Sequence, residues 1–123
     1  MTRHAVTGRL STHVLDISCG TPAAGMRVEL SVLEGGRWKA VKTVHTNADG
    51  RTDEPLLADG AMAAGQYRLV FHVGDYFRDR GVALADPPFL DRIPVRFGIH
   101  DPKTHLHVPL MCTPWGYSTY RGS

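Results

Sequence analysis

The sequence predicts an all-β fold, an antiparallel sandwich, on three observations. Segments in which apolar and polar residues alternate recur at short intervals, turn signals separate them, and one short stretch alone suits a helix. In chain order, the segment from Ser11 to Asp16 reads as a strand with Val14 toward the core and His13 and Leu15 pointing the other way. Residues 26–33 alternate most cleanly, with Met26, Val28, Leu30 and Val32 set against Arg27, Glu29 and Ser31. Gly35-Gly36 turns the chain into residues 38–46 and makes a hairpin. Asn47-Ala48-Asp49-Gly50 is the next turn, with Gly50 suited to a positive φ. Residues 66–73 read as a strand, and Asp75 is placed to cap a short helix over residues 76–80 that Gly81 ends. Residues 93–99 and 105–112 complete a set of about seven or eight strands. Pro94 and Pro109 lack the N–H that a ladder needs, so each is expected at an edge or a strand end.

At 123 residues the chain is expected to form a single domain, residues 1–123, that buries roughly two thirds of its unfolded surface. Cys19 and Cys112 lie far apart without a CxxC pattern, and the segment from Met1 to Val6 lacks the apolar run of a signal peptide, so both thiols are expected reduced in a cytoplasmic setting. No apolar stretch is long enough for a membrane span, and a net charge of +2 without a basic cluster gives no footprint for nucleic acid. The expected partner is a small molecule or another copy of the chain.

Chemistry concentrates near the C-terminus. As a strand, residues 105–112 put Leu106, Val108, Leu110 and Cys112 on a core face and His105, His107, Pro109 and Met111 on the other. Chain ends fray unless something holds them, so Trp115, Tyr117 and Tyr120 so close to the terminus argue for a packed tail that helps build a site. His105-x-His107 invites a metal reading, but a catalytic zinc needs a third protein ligand and no HExxH or further paired histidine supplies one, so no metal is expected. The plainer reading of both histidines, and of His13, is a solvated strand face. Arg51, directly after the turn, is either a surface cation beside a loop or a planar fork for a flat, amide-rich or anionic substrate. No GxSxG elbow is present and neither cysteine lies beside an obvious histidine, so the inventory favours a water activated by imidazole and guanidinium groups over a protein nucleophile.

Three pieces, from Leu10 to Asp16, Asn47-x-Asp49-Gly50-Arg51, and His105-x-His107-Val108-Pro109-Leu110 with the terminal Tyr120-Arg121-Gly122-Ser123, resemble the transthyretin-related 5-hydroxyisourate hydrolases. The likeness runs along essentially the whole chain, and the segment from Gly116 to Ser123 is its most specific part. The resemblance implies a prealbumin-like sandwich of two four-stranded antiparallel sheets with one short helix. It also implies a homotetramer, a dimer of dimers, with active sites in the channel between dimers.

The family's functional residues fall on His13, Arg51, His107 and Ser123, with Tyr120, Arg121 and Gly122 also at the substrate and Tyr120 and Ser123 nearest to it. His105 takes a supporting position at the rim. Leu106 stands where an aromatic is common, and the segment from Met111 to Trp115 departs from a usually leucine-rich and serine-proline stretch. The implied reaction is cofactor-free hydrolysis of 5-hydroxyisourate to 2-oxo-4-hydroxy-4-carboxy-5-ureidoimidazoline in urate breakdown, with His13 or His107 as the base. The rival from another class is a transthyretin-type carrier of small molecules, which shares the fold and should lack these residues.

Overall fold

The computed structural model describes residues 8–122. Eight strands and one helix follow in the order β1 (Arg9–Asp16), β2 (Thr21–Pro22), β3 (Arg27–Glu34), β4 (Arg37–His45), β5 (Gly65–Phe71), α1 (Val73–Asp79), β6 (Ile93–Ile99), β7 (His105–Cys112) and β8 (Tyr117–Thr119). They form two four-stranded sheets, ordered β2-β1-β7-β8 and β4-β3-β5-β6. The alternation read from the sequence fills the space between them. Leu10, Val14 and Leu110 of one sheet face Val28, Leu30, Leu69, Phe71 and Ile93 of the other, all essentially without solvent contact.

The expected sheets and short helix are present, with three corrections of detail. First, β1 and β7 run parallel, whereas the other pairings are antiparallel. A tight turn dictates antiparallel pairing only between strands it joins directly, and the whole second sheet intervenes between β1 and β7. Second, the helix begins at Val73, with His72 in the N-cap position, so Asp75 lies in the first turn and is not the cap. Burial decides this: Val73, Gly74, Tyr76 and Phe77 all turn inward, and ending β5 at Phe71 lets the helix use them. Asp75 still favours the helix, since a carboxylate near the N-terminal N–H groups suits the dipole.

Third, Pro109 sits within β7, an inner strand, whereas Pro94 is on the edge strand β6 as expected. Leu110–Cys112 pair with β8, and the ladder resumes in the same register at His107 opposite Gly122. The missing N–H of Pro109 falls between these two points, on the side facing the tail. Its carbonyl is not left idle, because Thr119 Oγ1 donates to it at 2.6 Å.

Tyr76 ties the helix to the first sheet by donating its hydroxyl proton to buried Asp16 Oδ2 at 3.0 Å. The Ser18 amide and hydroxyl donate to the other carboxylate oxygen. Burial pushes the Asp16 pKa up, but the hydrogen bonds from Ser18, Tyr76 and Cys19 outweigh it and hold the carboxyl below its ordinary value.

Candidate active site

The parallel register aligns β1 and β7 residue for residue: Arg9 with His105, Ser11 with His107, His13 with Pro109. Strand partners project to the same side, so the odd-numbered residues of both strands form one polar row on the face away from the core. The even-numbered set, Leu10 with Leu106, Thr12 with Val108 and Val14 with Leu110, is buried. One pairing thus secures the core and assembles the histidines.

Within the row Ser11 Oγ lies 2.8 Å from His107 Nδ1 and 3.3 Å from His105 Nε2. His13 Nε2 lies 2.9 Å from the carbonyl oxygen of Asp49. A carbonyl only accepts, so His13 Nε2 carries a hydrogen and donates it. That contact joins β1 to the turn that carries Arg51.

The turn is held from within. Asn47 Oδ1 accepts the amide protons of Asp49 at 2.9 Å and Arg51 at 3.2 Å, and the Asn47 amide donates to the Arg51 carbonyl at 2.7 Å. Gly50 docks it on β1: its carbonyl accepts the Val14 amide proton at 2.8 Å. At Gly50 φ is 75°, and a Cβ there would collide with the Val14 carbonyl oxygen, so glycine is required on both counts. Arg51 is exposed, and its guanidinium lies near enough to His107 to act on the ring's charge.

His107 is half-buried, and its pKa is lowered. Burial is the main cause, followed by the Arg51 guanidinium and then by His13 and His105. The ring is therefore biased toward the neutral imidazole that a general base requires.

The tail closes one side. Gly122 donates its amide proton to the His107 carbonyl at 2.8 Å, and a Cβ on Gly122 would lie 2.5 Å from His107 Cδ2. The backbone thus lies directly against the imidazole. Tyr120 and Arg121 both line a crevice of about 220 Å³ along the sandwich edge with Val95, Phe97 and Leu106. Ser123 lies outside the described residues. A further cleft of about 290 Å³ flanks the row and is lined by Ser11, Arg51, Asp53, Glu54 and His105 among others. Among the described residues no three His, Cys, Asp or Glu side chains gather as a metal-binding group.

The structure thus brings together His13, Arg51, His107 and Gly122, with His105 at the rim. Sequence reasoning missed Ser11 as a partner of both histidines and Asn47 as the anchor of Arg51. Ser11 shares the face of His13 by simple alternation, but its position opposite His107 depends on the parallel register, which no local pattern encodes.

Comparison with known proteins agrees with this geometry. The family model described as "HIUase/Transthyretin family" matches residues 10–122. The chain belongs to that family. It is 56% identical over 117 residues to 5-hydroxyisourate hydrolase 2 of Rhizobium meliloti, covering 95% of this chain and 98% of that protein. A solved (S)-allantoin synthase superposes with a TM-score of 0.89 at 45% identity; the match covers 94% of this chain and spans 44% of that longer protein. Sea bream transthyretin in complex with thyroxine gives a TM-score of 0.83 at 28% identity, covering 93% of this chain and 94% of that one. The same framework thus carries a 5-hydroxyisourate hydrolase and a thyroxine-bound transthyretin, so the fold alone does not separate the two.

Proposed function

We propose that this chain hydrolyses 5-hydroxyisourate to 2-oxo-4-hydroxy-4-carboxy-5-ureidoimidazoline, acting in urate breakdown without a cofactor. The observation that carries this reading is the row on β1 and β7, where His13 and His107 share one face and His107, with the Arg51 guanidinium acting on it, is biased toward its neutral form. The full-length likeness to a 5-hydroxyisourate hydrolase supports the substrate.

A neutral imidazole of the row takes a proton from water as the hydroxide adds to the ring amide carbonyl. Arg51 offsets the negative charge that develops on that oxygen, and the imidazolium returns the proton to the nitrogen that leaves as the C–N bond breaks. Acid–base steps of this kind contribute about 10²–10⁴-fold, and alignment of the flat ring with the water supplies much of the rest. The Gly122 backbone and Tyr120 wall the substrate, with Arg121 along the adjoining edge; for Ser123 the family resemblance alone implies a substrate contact.

The whole of residues 1–123 serves as one hydrolase domain in the cytoplasm, and no helix among the described residues is long and apolar enough to cross a membrane. Homotetramer assembly as a dimer of dimers would cover the exposed edge strands β6 and β8 and the outward row. A carrier role is the weaker reading, since a thyroxine-type pocket gains nothing from two imidazoles and a guanidinium around a depressed histidine.

The deciding experiment mixes the purified protein with freshly generated 5-hydroxyisourate and follows its ultraviolet band. Decay well above the spontaneous rate supports the reading, and a rate equal to buffer alone overturns it.

A further inference from the structure

We propose that Ser11 is a positioning residue that fixes which nitrogen of His107 faces the substrate, and that with His105 it forms a relay carrying a proton from His107 toward the surface. This rests on the hydrolase reading above and adds to it a choice of base.

Ser11 Oγ touches both rings, at 2.8 Å from His107 Nδ1 and 3.3 Å from His105 Nε2. A serine hydroxyl gives one proton and accepts through its lone pairs, so the bridge has two polarities. Either Ser11 donates to His107 and accepts from His105, or it accepts from His107 and donates to His105.

The surroundings of His107 select the second. Its Nδ1 is engaged by Ser11, so Nε2 is the nitrogen left to meet a water. Nε2 accepts a proton only if the neutral ring carries its hydrogen on Nδ1. Then Nδ1–H donates to Ser11 Oγ, and the Ser11 hydroxyl donates to His105 Nε2. Every polar atom of the bridge is satisfied in that arrangement. His13 is oriented the opposite way, since its Nε2 hydrogen is committed to the Asp49 carbonyl.

The charged and titratable groups facing His107 are Arg51, His13 and His105. An imidazolium at His107 is disfavoured beside the Arg51 guanidinium, and the bridge offers that charge a route away. As a water proton binds Nε2, the Nδ1 proton passes to Ser11 Oγ and the former Ser11 proton passes to His105 Nε2. One O–H bond of water breaks and one N–H bond forms at His107 Nε2; one N–H is lost at Nδ1, Ser11 exchanges its proton, and His105 gains one. The positive charge then rests on exposed His105, in a cleft whose carboxylates Asp53 and Glu54 stand against the cations Arg9 and Arg51. The reverse transfer returns the proton to the leaving nitrogen.

The test combines nitrogen-15 NMR of the imidazole rings with kinetics of Ser11→Ala, Ser11→Thr and His105→Gln. In the wild-type protein above the His107 pKa, Nδ1 should appear protonated and Nε2 unprotonated; Ser11→Ala should shift the ring toward the Nε2–H tautomer. Ser11→Ala should lower kcat by about 10–100-fold with KM changed less than about twofold, and Ser11→Thr, which keeps the hydroxyl, should recover most of the loss. His105→Gln, at an exposed position that leaves folding intact, should lower kcat by about 10-fold, and the double variant should be no slower than Ser11→Ala alone. A wild-type His107 protonated on Nε2, turnover of Ser11→Ala equal to wild type, or additive losses in the double variant would overturn the relay. A wild-type protein that does not hydrolyse 5-hydroxyisourate would instead overturn the hydrolase reading, and the ring spectrum would report that failure separately.

Discussion

Gly122 and His107 are held face to face: the Gly122 amide donates to the His107 carbonyl at 2.8 Å, and a methyl in place of one Gly122 hydrogen would fall 2.5 Å from the imidazole Cδ2. The glycine is needed here for space. Replacing Gly122 by Ala must therefore move the ring or lift the tail. We expect kcat/KM to fall by about 10–100-fold, because a displacement of about 1 Å at a catalytic group costs on that order. The melting temperature should change by less than about 3 °C, since the contact lies outside the core. Steady-state kinetics alongside thermal unfolding checks this, and an unaltered rate would show that the tail does not position His107.

Arg51 should be visible in the pH profile apart from its effect on rate. The working form of His107 is the neutral ring, and its pKa is lowered by burial, by Arg51, and by His13 and His105. A lowered value keeps the ring neutral to lower pH, so the acid limb of kcat/KM should lie below the ordinary histidine value of roughly 6.5. Arg51→Met removes one of the depressing charges, so the limb should move up in pH as the maximal rate drops. Asn47→Ala, which releases the Asp49 and Arg51 amides from their shared acceptor, should reproduce part of both effects. A limb that stays in place in Arg51→Met would separate Arg51 from the titrating group.

These two cases show what the sequence made legible. Alternation placed His13 and His107 on outward faces and Val14, Leu106, Val108, Leu110 and Cys112 inside, because the two-residue period is a local property of each strand. The direction of β1 relative to β7 is not local, and with it went the pairing of Ser11 with His107 and the tolerance of Pro109 in an inner strand. The helix start was misjudged for a similar reason. Asp75 is a good cap by type, but the burial of Val73 and Gly74 fixed the boundary, and burial depends on the second sheet. The resemblance alone places Arg121 at the substrate; no local pattern bears on it, and in the structure it lines a crevice along the sandwich edge together with Tyr120.

The contact between Asp16 and Tyr76 predicts a pH-dependent stability independent of the site. The folded carboxyl titrates below its ordinary value of 3.8, so the unfolded chain takes up the proton first. The stabilisation is complete above that value and is lost as pH falls through and below it. Tyr76→Phe, which deletes one donor to the buried carboxylate at 3.0 Å, should lower the unfolding free energy by about 1–3 kcal/mol at pH 7. As pH falls well below 3.8 the difference should shrink, because the carboxyl protonates and the bond weakens in both proteins. Urea unfolding at pH 7 and in that acid range measures it; an equal deficit in both would mean that Tyr76 acts through packing alone.

Removal of the last four residues, Tyr120 to Ser123, tests whether the terminus is a wall of the site. The deletion leaves β8 paired with Leu110–Cys112 and keeps the bond from Thr119 Oγ1 to the Pro109 carbonyl. What it removes is the bridge of Gly122 to His107, the cover over the imidazole and the exposed Tyr120 ring. None of these contributes to the buried cluster around Leu10, Val14 and Leu110. The far-ultraviolet circular dichroism should be unchanged and the melting temperature should drop by no more than about 4 °C, the shift that roughly 1 kcal/mol produces in a domain of this size. Hydrolysis of 5-hydroxyisourate should fall by at least about 100-fold, because the substrate loses one side of its pocket and His107 loses the contact that orients it. Near-wild-type turnover in the truncated protein would remove the tail from the mechanism and leave His13, Arg51 and His107, with Ser11 behind them, to account for the whole of the rate.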